Sequence, residues 1–486
     1  MRRPSHDGRH RERTKKLTLV AGVDSSTQSV KIVVCDADTG AVVRSSRAPH
    51  PEGTEVSAAA WWDAYRQAAQ QPGLLDGVEA IAVGGQQHGM VTLDEAGGLV
   101  RDALLWNDTR SARDAVDLVA ELGGPERWAQ ATGTVPLASM TVTKLRWLAR
   151  SEPELAKRVA SVVLPHDFLT WELGGRSFAP VTDRGDASGT CYFDPATNTY
   201  SDDLVQRAFG RLIDLPRVAG PSEVVGHTPD GIAIAAGTGD NMAAGLGLGL
   251  EAGSAVVSLG TSGTAFTRSA TPTHESTGTV AGFADATGEF LPLVCTLNGA
   301  RNLVATADVL GVTLDELARL ALTAKPGAGG LVFLPFLEGE RTPSLPEATG
   351  ELVGLTLSSM KPANLARAAI EGVLWSLAYG VDVLRDQTGT ISAITLTGGA
   401  SQSEAVRRIA TSVFGLPVVV TEAFESVAVG AARQAAWALT GSLPDWTVPV
   451  AGRYDPTDAD VAAADELMGR YKEVLGQHFE VPSFGR

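Results

Sequence analysis

The stretch VDSSTQSVKIVV at residues 23–34 and the stretch SLGTSGTAFTRS at residues 258–269 share one layout: an apolar run, a tight bend of small hydroxyl-bearing residues, and a second apolar run. The flanking runs read as strands and the Ser/Thr/Gly segments as turns. A chain that opens each of its halves with the same hairpin is constrained to a duplicated core, with the second copy starting near residue 250. The first copy continues through the Asp38-Thr39-Gly40 turn into a third strand, a helix in SAAAWWDAYRQAAQQ, and a short buried strand, VEAIAVGGQ, ending in glycines. Ahead of the second copy, GIAIAAGTGDNMAAGLGLG reads as a strand running into Asp240 and then a small-residue helix. Further on, the segment beginning KPANLARAAIEG reads as a long helix. Leu365, Ala369, Val373, Leu377, Val381 and Leu384 form one stripe between Pro362 and Gly389. Strand–glycine bend–helix and strand–loop–helix units close the pattern, and strands alternating with helices argue for α/β.

The 486 residues suffice for two or three domains. The expected division is a basic, disordered tail at 1–16, an N-terminal domain at 17–248 and a C-terminal domain at 249–486. Between 111 and 225 the chain reads as helical and loop-rich, with ASVVLPHDFLTWEL as strand-like. Lys+Arg number 40 against Asp+Glu 56, a net charge of -16, which disfavours general binding to nucleic acid or anionic membrane. No apolar run is long enough to span a membrane, and the apolar segment after the tail is too short for a signal-peptide core. Cys35, Cys191 and Cys295 are odd in number and far apart, so a disulfide framework or a zinc site is not expected and a reducing cytoplasm fits.

There is no Walker-type phosphate loop. Gly247-Leu248-Gly249 imitates a dinucleotide fingerprint but ends a helix rather than following a strand, and is read as packing. The bend Ser25, Ser26, Thr27 and Gln28 offers successive N–H groups and hydroxyls that can cradle a phosphate oxyanion. Asp24 beside it can hold a hard cation such as Mg²⁺. Gly260-Thr261-Ser262-Gly263 repeats the cradle without the acid. A third small-residue bend, Gly398-Gly399-Ala400-Ser401, ends a strand and opens a helix, a place that attracts nucleotide phosphates. Each bend alone is an ordinary turn; three in this order point to a nucleotide held between two similar domains. Asp240, at a strand end where ligands gather in open α/β sheets, is placed to cap the following helix and also to take a proton from a substrate hydroxyl.

The blocks VDSSTQSVK, GGQQHGMVTLDEAG, LLWNDTRS, TDRGDASGTCYFD, GTGDNMAAGLGLG, SLGTSGTAF, FLPFLEGERTPSLPEATGELVGLTLS and LTGGASQSEAVRRIATSVFGLPV resemble, in unbroken order from Leu17 onward, the FGGY carbohydrate kinases, and among these most of all the xylulokinases. The resemblance implies two ribonuclease-H-like domains around a cleft, as in actin, hexokinase and the heat-shock ATPases. It implies ATP with Mg²⁺ on the second domain and sugar on the first, and transfer of a phosphoryl group to D-xylulose. It assigns the catalytic base to Asp240, with Asp24 and Asp240 at the metal. Sugar contacts fall to Gln87, His88, Trp106, Asn107, Asp108, Asp240 and Asn241. Nucleotide contacts fall to Ser25, Ser26, Thr27, Gln28, Lys31, Gly260, Thr261, Ser262, Gly263, Gly398, Gly399, Ala400 and Ser401. The resemblance leaves a homodimer open, and implies no nucleic acid and no membrane.

One position departs from the pattern: xylulokinases commonly carry methionine where this chain has Gln87. An amide there adds a donor and an acceptor, consistent with xylulose or with another pentulose, a polyol or gluconate. His88 alone reads as a core histidine and Trp106 alone as packing; their neighbours favour a polar pocket and a sugar face stacked on the indole. Arg341 in GERTP is expected to pair Glu340 or Glu338 and fix its loop. Asp183 and Asp186 are expected on a polar loop as capping residues. A non-enzymatic actin-like switch would need no sugar pocket, and a sugar-sensing transcriptional regulator would need a helix-turn-helix for which residues 1–16 are too short.

Overall fold

The computed structural model describes residues 17–481; the expectation of a disordered tail at 1–16 falls outside them. In the first lobe, β1 (Leu19–Ser25), β2 (Ser29–Asp36), β3 (Val42–Pro49), β4 (Val78–Gly85), β5 (Val224–His227) and β6 (Ala233–Ala235) form a sheet in the order β5-β6-β4-β1-β2-β3. In the second, β7 (Ser254–Leu259), β8 (Gly263–Thr267), β9 (Ala281–Ala284), β10 (Phe290–Thr296), β11 (Ala393–Thr397), β12 (Val418–Thr421) and β13 (Val450–Tyr454) follow the order β9-β10-β8-β7-β11-β12-β13.

The two sheets are copies. From the hairpin outward, β3-β2-β1-β4-β6-β5 and β10-β8-β7-β11-β12-β13 run through the same succession of antiparallel, antiparallel, parallel, parallel and antiparallel pairings. The hairpin register Val23↔Ile32 and Asp24↔Lys31 in the first lobe corresponds to Val257↔Ala265 and Ser258↔Thr264 in the second. β1 is buried along nearly its whole length because it lies mid-sheet with both faces covered, whereas β3, toward the edge, alternates exposed and half-buried positions.

Six helices position the site: α1 (Pro165–Leu173), α2 (Arg184–Ser188), α3 (Asp240–Gly247), α4 (Pro362–Thr388), α5 (Glu404–Phe414) and α6 (Ser426–Thr440). The segment expected as one strand, 160–173, is a short strand Ser161–Val163 followed by α1. Pro165 occupies the first turn, where its missing N–H costs nothing, and the Asp167 carboxylate accepts the Leu164 N–H at 2.7 Å. The helix expected from Pro362 to Gly389 forms over that span. It is buried around nearly its whole circumference from Ala366 to Leu384 rather than on one stripe, since the second sheet lies on one side and three helices on the others.

Helix α6 belongs to the second half of the chain but packs on the first sheet and on α3. A Cβ on Gly22 would lie 1.8 Å from the Ala428 carbonyl oxygen, one on Gly430 1.8 Å from that of Ala243, and one on Gly247 2.0 Å from that of Ser426. Gly247 therefore serves close helix packing, whereas Gly249, past the end of α3, has φ +60° and serves the turn. Trp446, beyond α6, donates to the Ala37 carbonyl at 3.0 Å and closes this seam. Among the described residues no helix is long and apolar enough to cross a membrane.

Candidate functional site

β1 delivers Asp24 and Ser25 to the mouth of the cleft, and the bend before β2 is clamped from three directions. The Ser26 hydroxyl donates to Asp24, the His50 ring meets the Ser26 carbonyl at 2.8 Å, and the Trp106 indole N–H donates to the Thr27 hydroxyl at 2.9 Å. Among the described residues no protein acceptor takes the backbone N–H of Ser26 or Thr27, and the buried Ser25 hydroxyl has no partner. Lys31 Nζ lies 3.5 Å from Asp24 and 2.6 Å from Glu425 of the other lobe, so it bridges the lobes beside the bend.

In the second lobe the bend after β7 is fixed from behind. Gly299 and Ala300 donate to the Thr261 and Gly260 carbonyls at 3.1 and 2.8 Å, which leaves the Thr261 and Ser262 N–H groups without a protein acceptor among the described residues. Gly398 has φ +89°, and a Cβ there would lie 2.7 Å from the Leu259 backbone; Gly399 faces open space. Ser401 follows in a 3₁₀ turn over Gly399–Gln402, and α5 starts only afterwards, so the bend precedes the helix instead of opening it. A cavity of about 620 Å³ is lined by Lys31, Asp240, Ser258, Thr264, Gly399 and Glu425 among others; the residues of the two hydroxyl bends, and Asp24, do not line it. Such a volume suits a nucleotide-sized ligand. Free N–H groups at both bends, a glycine wall that lets backbone approach closely, and two carboxylates fit Mg-ATP. Asp24 and Asp240 are the residues that could hold the metal.

Asp240 begins α3, with Gly239 rather than Asp240 itself in the capping position. Its Oδ1 accepts from the Asn241 N–H at 2.8 Å and from Asn241 Nδ2 at 3.0 Å. Burial, then the charges of Asp24 and Asp186, push its carboxyl up to about 7. A carboxyl so tuned can take a proton near neutral pH.

β4 ends at Gly85, and Gln87 and His88 follow two and three residues on. Gln87 is buried; its Oε1 accepts from Asn241 Nδ2 at 3.0 Å and its Nε2 has no partner. A Cβ on Gly239 would lie 2.8 Å from the Gln87 side chain, so Gly239 leaves it room. His88 has φ +68°, uncommon for a residue with a side chain and frequent at functional sites. Its Nδ1 lies 2.9 Å from the Gly189 carbonyl, and a carbonyl only accepts, so Nδ1 carries the proton and Nε2 keeps its lone pair. Burial, with Arg341 and Lys144 nearby, pushes the ring down to about 3 and keeps it neutral. Trp106 is 39% exposed and presents an indole face. Asn107 beside it is exposed, but Asp108 is buried and committed to Thr54 at 2.8 Å and Arg110 at 2.8 Å. Its carboxylate fixes the loop and is not offered to the cleft.

Two other expectations are corrected. Asp183 caps α2 through the Gly185 and Asp186 N–H groups at 2.9 Å each, but it is buried, and Asp186 caps nothing: it meets His166 Nδ1 at 2.6 Å in a sealed cluster with Asp167. Burial alone would lower His166, but the carboxylates of Asp167, Asp186 and Asp183 outweigh it and raise the ring to about 9. Arg341 pairs neither glutamate expected for it. Glu338 pairs Arg301, and Glu340 accepts from the Leu297 and Arg341 N–H groups and from Asn298. Glu425, Gly189, His166 and Asp167 were not singled out in the sequence; a histidine and three aspartates in PHD and TDRGD were the available signal. A separate cavity of about 390 Å³ at the far end of α3, bordered by Arg268, Asp285, Arg433 and Trp446, contains none of the expected site residues.

The model of the FGGY family of carbohydrate kinases, N-terminal domain, matches residues 19–248, and that of its C-terminal domain residues 255–439. The xylulose kinase of Streptomyces coelicolor is 44% identical over 470 residues, 93% of this chain and 95% of that protein. The xylulose kinase of Escherichia coli is 33% identical over 419 residues, 82% of this chain and 85% of that protein. The crystal structure of xylulose kinase from Bifidobacterium adolescentis superposes with a TM-score of 0.87 at 44% identity, covering 93% of this chain and 99% of that one. This chain belongs to the FGGY family of carbohydrate kinases.

Proposed function

We propose that the protein transfers the γ-phosphoryl group of ATP to the primary hydroxyl of D-xylulose, giving D-xylulose 5-phosphate. The observation that carries this reading is the position of Asp240: it lines the 620 Å³ cavity and, through Asn241, is tied to Gln87 beside His88. The similar xylulose kinases support the sugar.

Asp240 accepts the proton of the sugar hydroxyl as the oxygen attacks in line. The N–H groups of Ser26, Thr27, Thr261 and Ser262 and the Ser25 hydroxyl hold phosphate oxygens, while Lys31 releases part of its hold on Glu425 to do the same. Asp24 and Asp240 would hold Mg²⁺, which when bound would supply neutralisation of charge on the phosphates. Gly398, Gly399, Ala400 and Ser401 border the nucleoside. His88 Nε2 accepts from a sugar hydroxyl, and the Trp106 face packs on the carbon chain. Closure of the lobes excludes water and protects ATP from hydrolysis. The compartment is the cytoplasm, consistent with three free cysteines.

A panel of pentuloses, polyols and gluconate in an ADP-release assay tests the reading. D-xylulose is expected to give the highest kcat/KM; a polyol or gluconate giving a higher one overturns it.

A further inference from the structure

Between the end of β4 and Gln87 stands a second amide, Gln86. It is 1% exposed, and neither its Nε2 nor its Oε1 has a hydrogen-bond partner among the described residues. A buried amide left this way costs folding free energy at both atoms. Buried polar groups are nearly always paired, so one that the chain leaves unpaired calls for a partner from outside the chain.

Three parallel strand ends define where Gln86 lies. β1 and the two-residue strand Thr238–Gly239 flank β4 on either side, with Asp24 and Thr238 both opposite Gly84, and Ser25 and Gly239 both opposite Gly85. The Gln86 N–H continues this ladder to the Ser25 carbonyl at 2.9 Å. Gln86 is therefore the middle residue of a row, with the first phosphate bend on one side and Asp240, which follows Gly239 directly, on the other. Neighbouring strands lie about 4.8 Å apart, so side chains from all three ends fall within reach of one small ligand.

The alternation of the strands says which side chains share a face. A Cβ on Gly84 would lie 2.9 Å from Val427 of α6 and 3.0 Å from Ala243 of α3, whereas one on Gly85 would lie 2.7 Å from His166 of α1. Position 86 returns to the Gly84 face. Asp24 shares that face, since a Cβ on Gly22, two residues earlier, would meet Ala428 and Ala432 of α6. Helix α3, which covers the same face, begins with Asp240. The next amide, Gln87, is already held by Asn241 beside His88, so the two glutamines are divided between the sugar contacts and the pair of carboxylates.

A cation such as Mg²⁺ is bound through one or two carboxylates and keeps several of its waters. Such a water donates, and the Gln86 Oε1 can accept; its Nε2 can donate to a carboxylate or phosphate oxygen beside the ion. We propose that the Gln86 amide holds a water of the nucleotide-bound divalent cation between Asp24 and Asp240, and is left unpaired in the free protein for that contact. This rests on the reading in which those two carboxylates hold the cation.

The test uses the full chain with Gln86→Met, which keeps the length of the side chain and removes its donor and acceptor, and with Asp24→Asn as reference. Mn²⁺, an EPR-visible substitute for Mg²⁺, is titrated in the presence of ADP; ADP is titrated in EDTA; and melting is followed without ligands. Gln86→Met is expected to weaken Mn²⁺ binding roughly 3- to 10-fold, as for one lost hydrogen bond. Its affinity for metal-free ADP and its KM for D-xylulose should stay within about twofold of wild type. Because no partner within the chain is lost, its melting temperature without ligands should equal or exceed that of wild type. Unchanged Mn²⁺ binding, an equal loss for metal-free ADP, or a rise confined to the KM for sugar each overturns the proposal; the second would put the amide on a phosphate and the third on the sugar. A variant that melts well below wild type, or does not fold, overturns it too, since the amide would then be paired within the protein. If Asp24→Asn leaves Mn²⁺ binding intact, the cation reading fails and the proposal with it. Binding weakened by Asp24→Asn but untouched by Gln86→Met sinks the proposal alone.

Discussion

Asn241 Nδ2 donates at 3.0 Å to the Gln87 carbonyl oxygen and at 3.0 Å to Asp240 Oδ1, so a single side chain joins the end of β4 to the carboxylate that begins α3. Gln87→Met removes the acceptor and keeps the volume. The KM for sugar is expected to rise several-fold, as for one lost neutral hydrogen bond, while the KM for ATP holds. Steady-state kinetics with each substrate varied checks this; an unchanged KM for sugar would show that the tie does not matter.

The Asp240 carboxyl, pushed up to about 7, must be ionised to accept a proton, so kcat/KM for sugar is expected to rise with pH through about 7 and level off above it. The same shift has a consequence for stability. The folded value lies above the ordinary 3.8, so the favourable contribution of the protonated group is complete below about 3.8 and is lost as pH rises through about 7. Asp240→Asn should therefore lose about 10²- to 10⁴-fold in kcat and gain in melting temperature over wild type, by a margin that widens between pH 4 and 7. A margin that narrows over that range contradicts the account.

His166 lies buried between Asp186 at 2.6 Å and Asp167 at 3.2 Å. Replacing it with alanine strands two buried carboxylates, and breaking such a pair costs about 3–5 kcal/mol. Urea denaturation at neutral pH measures the cost directly. A loss below about 1 kcal/mol, the ordinary range of an exposed pair, would mean that the cluster is solvated.

Helices α3 and α6 touch through glycine. A Cβ on Gly430 would sit 1.8 Å from the Ala243 carbonyl oxygen, so Gly430→Ala must push α6 off the helix that carries Asp240. Overpacking of this kind costs about 1–3 kcal/mol or more. Thermal melting should show the destabilisation and kcat should fall with it, whereas Gly469→Ala, inside the helix Asp458–His478 with its Cβ meeting nothing within 4 Å, should leave kcat unchanged and raise stability by about 0.5–1 kcal/mol.

The duplicated sheet was legible because each copy opens with two apolar runs around a hydroxyl bend, a layout that survives low identity. The two hydroxyl bends form as turns between paired strands for the same reason, since turn chemistry is local, but the cavity beside them is lined by Lys31, Ser258, Thr264 and Gly399 and by no residue of either bend. What local pattern could not supply was pairing over long sequence distances. Lys31 finds Glu425, His166 finds Asp186, and Asp108 is drawn away from the cleft by Thr54 and Arg110. Residues 160–173 read as a strand because Pro165, which starts a helix, lies within an apolar run that gives no periodic signal. Arg341 was assigned a glutamate partner from its neighbours in sequence, yet Glu338 and Glu340 are claimed by Arg301, Leu297 and Asn298.

The central claim is that the Asp240 carboxylate takes the proton of the hydroxyl being phosphorylated. A crystal structure of the wild-type enzyme with D-xylulose and a non-hydrolysable ATP analogue tests it most directly. The account predicts the primary hydroxyl within hydrogen-bonding distance of Asp240 and in line with the γ-phosphorus, with the nucleotide in the cavity bordered by Lys31 and Gly399. A closed complex in which that hydroxyl meets another base, with Asp240 remote from both ligands, would contradict it.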